Sequence, residues 1–467
     1  MRPCRPYGMI GGPSAADALA TAPAERRESR MKFGLLYEHQ LPRPWGEHSE
    51  YQLLKEALTQ VELADRLGFD YIWENEHHFL EEYSHSSAPE VFLACCARNT
   101  TRIRLGHAVV LSPPAYNHPA RVAERLATLD LLSDGRVDFG TGESASRVEI
   151  EGFGIDHTQK KAMWAEAVEQ TANMMTMAPY PGFDGQFFSM PCRNVLPKPF
   201  QKPHPPIWVA CSRRETIHAA ARHGIGALTF AFVDPAEASK WVQEYYEIIK
   251  SDACVPIGHT VNANIAMVTG FSVHHDAEEA KRRGGDGLRY FGYALGHYYV
   301  FGAHEPGTTN VWERFEQARD AMAEVGRGSG IGTPAQVQEH LAKYAEAGVD
   351  QVIFIQQGGK NQHAHICEAM ELFAASVMPH FQAGESEREA RKAAALAPYI
   401  AAALARKAWM APIAQADIPV ITSYGSNIIQ TDQDETANVT HHGAADITVP
   451  LRDPLAPRRP QAVGSAD

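Results

Sequence analysis

The chain of 467 residues carries a formal net charge of −13, with 44% hydrophobic and 21% charged residues. That is the composition of a soluble globular protein, and its acidic balance argues against a dedicated nucleic-acid binder, because clustered Lys and Arg hold a phosphate backbone. No run approaches the ~20 consecutive apolar residues of a membrane span, and seven cysteines without a repeated short spacing predict reduced thiols in the cytoplasm.

Residues 1–30 lack the apolar core of a secretory signal and read as a disordered leader, with a fresh start at Met31. From there, short β-branched or aromatic runs alternate with amphipathic segments of helical period. Strands are predicted over 31–37, 69–74, 103–111, 136–142, 206–212, 225–232, 259–271 and 349–357. Gly68 stands where the first helix needs a C-terminal cap, and Thr333-Pro334 opens a later one. Cys95 and Cys96, in the second helix, are expected to pack as small hydrophobes. A Pro-rich stretch around residues 185–190 predicts a small hairpin. Eight β/α units over 31–381 predict a closed (β/α)8 TIM barrel rather than an open doubly wound sheet.

Two segments fall outside that alternation. Residues 284–316 form a Gly- and aromatic-rich insertion after the seventh strand, with the length of a lid. Its Tyr290, Phe291, Tyr293, Tyr298, Tyr299 and Phe301 would either line an apolar chamber or glue the insertion to the barrel. Residues 382–467 make a C-terminal extension: an Ala-rich helix interrupted by Pro398, then an irregular tail from about 413.

Barrel chemistry sits at the C-terminal ends of the strands. The second strand ends in Tyr71-Ile72-Trp73 and runs into Glu74, Glu76, His77 and His78. Metal binding, with His39 and His107 as further ligands, is disfavoured because adjacent residues of an extended chain point oppositely. One imidazole acting as acid–base catalyst is easier to build, its ordinary pKa lying near neutral; a hydrogen-bonded rim cluster is the bland alternative. The stretch 138–144 places Gly140 and Gly142 at a strand-to-helix turn, allowing close approach of backbone to a flat ring or phosphate. Ser212, Arg213, Arg214 and Thr216 combine hydroxyls, positive charge and a helix N-terminus, the components of a phosphate site.

The segments at 31–40, 63–79, 103–142 and 332–354 together resemble the bacterial luciferase-like, flavin-dependent monooxygenases. The resemblance implies a barrel that takes reduced FMN from a separate flavin reductase and uses dioxygen to oxygenate a small, apolar organic substrate. It implies that His77 is the catalytic acid–base group, with His78 and Glu76 supporting it, and that a non-prolyl cis peptide at Ala108–Val109 lies beneath the flavin ring. It places the phosphate on Ser212 and Thr216, beside Arg213, and matches Lys161 to a phosphate-contacting arginine of the luciferases. Family members commonly pair, so a homodimer is expected. Two departures stand out. Glu143 replaces a phosphate-contacting arginine, so Arg213, Arg214 or Lys161 is expected to supply compensating charge, and Gly142 replaces a reactive cysteine, which points to oxygenation rather than light emission. Deazaflavin-dependent hydride transfer on the same barrel is the alternative, and a flavin-binding module without catalysis a third.

Overall fold

The structure is a computed structural model and describes residues 31–230, 234–322 and 329–422. The leader, most of the tail and two short internal stretches lie outside the described residues, and no described helix is long and apolar enough to cross a membrane.

The barrel strands are β1 (Lys32–Tyr37), β2 (Tyr71–Glu74), β3 (Arg104–His107), β4 (Val137–Gly142), β5 (Ile207–Cys211), β6 (Gly226–Thr229), β7 (Ile265–Gly270) and β8 (Gln351–Ile355). All pairings are parallel, in chain order, and the ring closes through β1 against β8, with Lys32 opposite Gln351. The remaining seams run continuously, as in Trp73 opposite Gly106 and Thr141 opposite Val209.

Two apolar layers follow from strands that are buried on both faces. The outer one packs strands against helices, with Phe33, Phe354 and Phe373 in mutual ring contact. The inner one fills the barrel with large rings. Trp73 and Trp208 meet edge to face with centroids 5.4 Å apart, and the Trp208 indole N–H donates to Asp138 at 2.9 Å. Gly106 and Gly226 make room for them, since a Cβ at either position would lie 2.2 Å from an indole carbon.

Several predicted boundaries move. The strand expected over 103–111 is one ladder only to His107; the Ala108–Val109 peptide is cis and Val110–Leu111 resumes pairing with Thr141 and Gly142. The seventh strand begins at Ile265, because residues before it are committed to side-chain bonds such as Asn262 Nδ2 to the Ile207 carbonyl at 2.9 Å. The caps stand as expected: Gly68 and Gly348 are left-handed, and Thr333 and Gln336 exchange side-chain and backbone bonds. The hairpin pairs Tyr180–Asp184 with Ser189–Arg193. Of the adjacent cysteines only Cys96 is buried; Cys95, rotated by one helical step, is exposed.

The insertion is largely helical, with Ala277–Gly296 running into a π-helical turn at His297–Phe301, then Val311–Ala318. Buried Glu82, from the loop after β2, accepts the Val311 and Trp312 amides at 2.5 and 3.1 Å. A carboxylate at a helix N-terminus pins the insertion to the barrel.

The C-terminal helix runs unbroken over Glu385–Arg406, correcting the expected interruption at Pro398. An internal proline costs about 3 kcal/mol, and here contacts on both sides offset it. Arg388 and Lys392 bind buried Asp350 at 2.7 and 2.8 Å, while Arg406 reaches the Ser251 and Cys254 carbonyls at 3.0 Å each. Asp350 directly precedes β8, so this helix closes the N-terminal end of the barrel and leaves the other end for chemistry. The compact unit runs through Pro412, and Ile413 begins a second.

Candidate active site at the C-terminal mouth of the barrel

His77 leaves the end of β2 with its amide bonded to the Ser86 carbonyl at 2.8 Å. Its Nδ1 is 3.1 Å from Glu149 Oε1 and its Nε2 is 3.6 Å from Glu38 Oε2. Glu38 follows β1, and Glu149 sits on the short helix Arg147–Gly152 after β4, so three loops converge on one imidazole. Glu149 also accepts the His78 amide at 2.8 Å and the Ser144 hydroxyl at 2.5 Å. The Tyr83 hydroxyl donates to Glu38 at 3.1 Å.

These contacts fix the charges. Burial works against a charged imidazole, but Glu149 and Glu38, with Glu76 further out, hold the His77 pKa up at about 9. Burial raises the Glu38 carboxyl to about 7 despite the pull of His77 and Tyr83. Glu149 is lowered: burial pushes it up, but His77, Ser144 and the His78 amide outweigh that. Both flanking carboxyl groups therefore favour the protonated form of His77, a proton donor in place of the near-neutral group expected from its ordinary pKa.

His78 turns away from its neighbour, its Nε2 lying 3.3 Å from Glu76 Oε1. Glu76 accepts the Leu111 amide at 2.7 Å and the Asn117 side chain at 2.9 Å. The two imidazoles thus engage different carboxylates. Glu76 and His78 brace the chain just past the cis peptide, and Glu38 and Glu149, both absent from the expected set, flank His77. Glu38 stood one residue beyond a predicted strand, a signal available in the sequence; Glu149 carried none. Beneath them, buried His39 and Glu74 form a pair at 2.9 Å that Ser86 joins, and His107 lies buried with Nδ1 3.4 Å from the Asp138 carbonyl.

The elements expected near a flavin gather on the same rim. Ala108–Val109 is cis and both residues are buried. Gly142 lies against Val109, where a Cβ would come within 2.3 Å of Val109 Cγ2. Glu143 is answered by Lys160 at 3.6 Å, with Lys161 beyond it, rather than by Arg213 or Arg214. Arg214 is held by Glu244, which also binds His218 at 2.8 Å. Arg213, Ser212 and Lys161 are exposed, and among the described residues the Arg213 guanidinium has no carboxylate partner. The Thr216 hydroxyl is tied to Arg213, accepting from its amide at 3.2 Å and donating to its carbonyl at 2.6 Å.

The insertion's aromatics divide between the two expected roles. Tyr290 and Phe291 are buried, with Tyr290 tilted against Trp312 and edge-on to Phe315, and act as glue. Tyr298 and Tyr299 reach over the mouth: the Tyr299 ring lies edge-on to His77 with centroids 6.4 Å apart, and both tyrosines contact Tyr83.

A family model described as luciferase-like monooxygenase matches residues 31–351. The chain belongs to the luciferase-like monooxygenase family. Among curated relatives of this luciferase-like protein, it is 31% identical to the oxygenase component of the flavin-dependent trigonelline monooxygenase of Acinetobacter baylyi, over 42% of this chain and 52% of that one. The chain spans 63%, 53% and 52% of the first three curated relatives it matches. Among solved structures it resembles monooxygenase RslO1 of Streptomyces bottropensis at 27% identity and TM-score 0.61, covering 75% of this chain and 99% of the other. The FMN complex of the oxygenating constituent of 3,6-diketocamphane monooxygenase, from Pseudomonas putida, matches at 20% identity and TM-score 0.59 over 75% and 99%. An F420-dependent secondary alcohol dehydrogenase matches at 17% and TM-score 0.56 over the same shares, and these last two likenesses show the fold alone.

Proposed function

We propose that this protein is the oxygenase component of a two-component monooxygenase, taking reduced FMN from a separate reductase and oxygenating a small, apolar organic substrate. The observation that carries the reading is the convergence on one rim of His77, with Glu149 and Glu38 at its two ring nitrogens, and side-chain-free Gly142.

The donor set fits a flavin. Buried Asn75 Nδ2, Gln40 Nε2 and Thr229 Oγ1, all at strand ends of the mouth, have no hydrogen-bond partner among the described residues, and buried polar groups require one. The polar edge of an isoalloxazine would answer them. Ser212, Thr216 and Arg213, at the start of helix Arg214–Arg222, would hold the phosphate. When bound, reduced FMN supplies the electrons that let dioxygen give one atom to the substrate and the other to water. His77 Nε2 holds a proton at the mouth, 3.6 Å from Glu38, with Glu149 on the opposite ring nitrogen. Tyr83, Tyr298 and Tyr299 exclude water and present an apolar wall to the substrate.

The test is turnover of a panel of apolar substrates with reduced FMN, a flavin reductase and isotopically labelled dioxygen, read as mass gain of one labelled oxygen atom. Oxygen-independent turnover with reduced deazaflavin, and none with FMN, would replace this reading with hydride transfer.

A further inference from the structure

His77 is one partner in a network whose other members lie outside the expected site. Glu149 is fully buried, yet its two carboxylate oxygens serve three donors from three places: His77 Nδ1 at 3.1 Å, the His78 amide at 2.8 Å and the Ser144 hydroxyl at 2.5 Å. Ser144 is left-handed, with φ 58°, and its hydroxyl oxygen also accepts the Ser146 amide at 3.1 Å, so the hydroxyl is itself fixed. A carboxylate bound on several sides cannot rotate away from the imidazole it faces. The same Oε1 grips both the ring of His77 and the backbone one residue on, which sets the direction of the ring as well as its distance.

We propose that Glu149 is the positioning residue of this site, fixing the orientation of His77 through Nδ1 so that Nε2 is the nitrogen that exchanges its proton. The proposal rests on the reading of His77 as the acid–base group. It is independent of which flavin or substrate is used, because every contact lies within the protein.

Other groups face the same ring and limit what Glu149 alone can do. Glu38 from the loop after β1 lies at Nε2, Glu76 contributes from its own segment, and the Tyr83 and Tyr299 rings pack 5.7 and 6.4 Å away. Glu38 is partly neutral near pH 7 because burial raises it, whereas Glu149 remains ionised, so Glu149 supplies the steadier charge. His78 is turned to Glu76 and does not compete for Glu149 through its ring.

The test is nuclear magnetic resonance of the full chain, labelled at histidine ring nitrogens and free of flavin, comparing wild type with Glu149→Gln. The substituted amide would keep an acceptor but remove the charge. The expected result is a fall in His77 proton affinity of about tenfold or more and loss of the downfield Nδ1–H resonance. With reduced FMN and a turned-over substrate, Glu149→Gln should lower kcat, leave KM within about twofold, and shift the alkaline limb of the pH profile down. Glu149→Asp, which keeps the charge, should retain the high His77 pKa and rescue part of kcat; it also gives a readout if Glu149→Gln does not fold. An unchanged His77 titration and tautomer in Glu149→Gln would overturn the assignment, as would a change confined to KM. The titration needs no turnover, so failure of the monooxygenase assay leaves the positioning result readable on its own.

Discussion

Gly142 and Val109 compete for one volume: a Cβ on residue 142 would lie 2.3 Å from Val109 Cγ2. A cysteine, the residue the luciferase resemblance expects at this position, cannot be placed there without moving Val109. Gly142→Cys and Gly142→Ala should each destabilise the protein by about 1–3 kcal/mol through overpacking and weaken FMN binding more than a surface change does. Thermal melts and flavin fluorescence titration read the two effects; a Gly142→Ala variant with unchanged affinity for FMN would separate this contact from the cofactor.

The acid–base role proposed for His77 is tested directly by removing the imidazole. His77→Ala should reduce oxygen transfer by about 10²–10⁴-fold, the usual worth of a general acid or base, while flavin affinity stays close to wild type. Full activity in that variant would overturn the assignment of His77.

The pH dependence has a definite sign. Because the His77 pKa is raised to about 9, its cation dominates at neutral pH, and a step that uses its proton should hold steady below that value and decline as pH rises through about 9. Folding stability moves in the same direction. A raised folded-state pKa contributes stability that is fully present below the ordinary histidine value of about 6.5 and is lost as pH rises through about 9. Denaturant melts from pH 6 to about 10, wild type against His77→Ala, measure the difference.

Charge at the expected phosphate site divides two adjacent arginines. Arg214 is taken up by Glu244, whereas Arg213 has no carboxylate partner among the described residues. Arg213→Ala should weaken FMN by about tenfold, the worth of one charge-assisted hydrogen bond, and Arg214→Ala should change it by less than about twofold. Lys160→Ala, which strips Glu143 of its 3.6 Å partner, should also weaken FMN, and Glu143→Gln in that background should restore it. Isothermal titration with FMN and with riboflavin, which lacks the phosphate, isolates the contribution.

Removing the C-terminal helix should cost stability far from the site. Truncation after Phe381 strips Asp350 of Arg388 and Lys392 and uncovers the core packed under Leu396 and Ala403, so the melting temperature should fall. Truncation after Pro412 keeps those contacts and should melt like the full chain. Sizing of the two truncations also shows whether the helix or the tail holds a second copy; an unchanged oligomer in both excludes that role.

The barrel was legible in the sequence because it is written locally. Apolar runs of strand length, helical periodicity, left-handed Gly68 and Gly348 and the Thr333 cap each act over a few residues, and eight repeats of them leave little choice of closure. The same reasoning put His77 on the rim, since a strand end determines where the next residue emerges. Only the tertiary structure decided what His77 is. Glu149, 72 residues away, and Glu38 from another loop reach it through space and raise its pKa, which no spacing records. Tertiary contact likewise decided that Lys160 answers Glu143, that Val109 forbids a side chain at Gly142, and that anchors on Asp350 and Ser251 carry a helix through Pro398. Periodicity follows from the geometry of the backbone, whereas charge state and steric fit belong to side chains that become neighbours only once the barrel has closed.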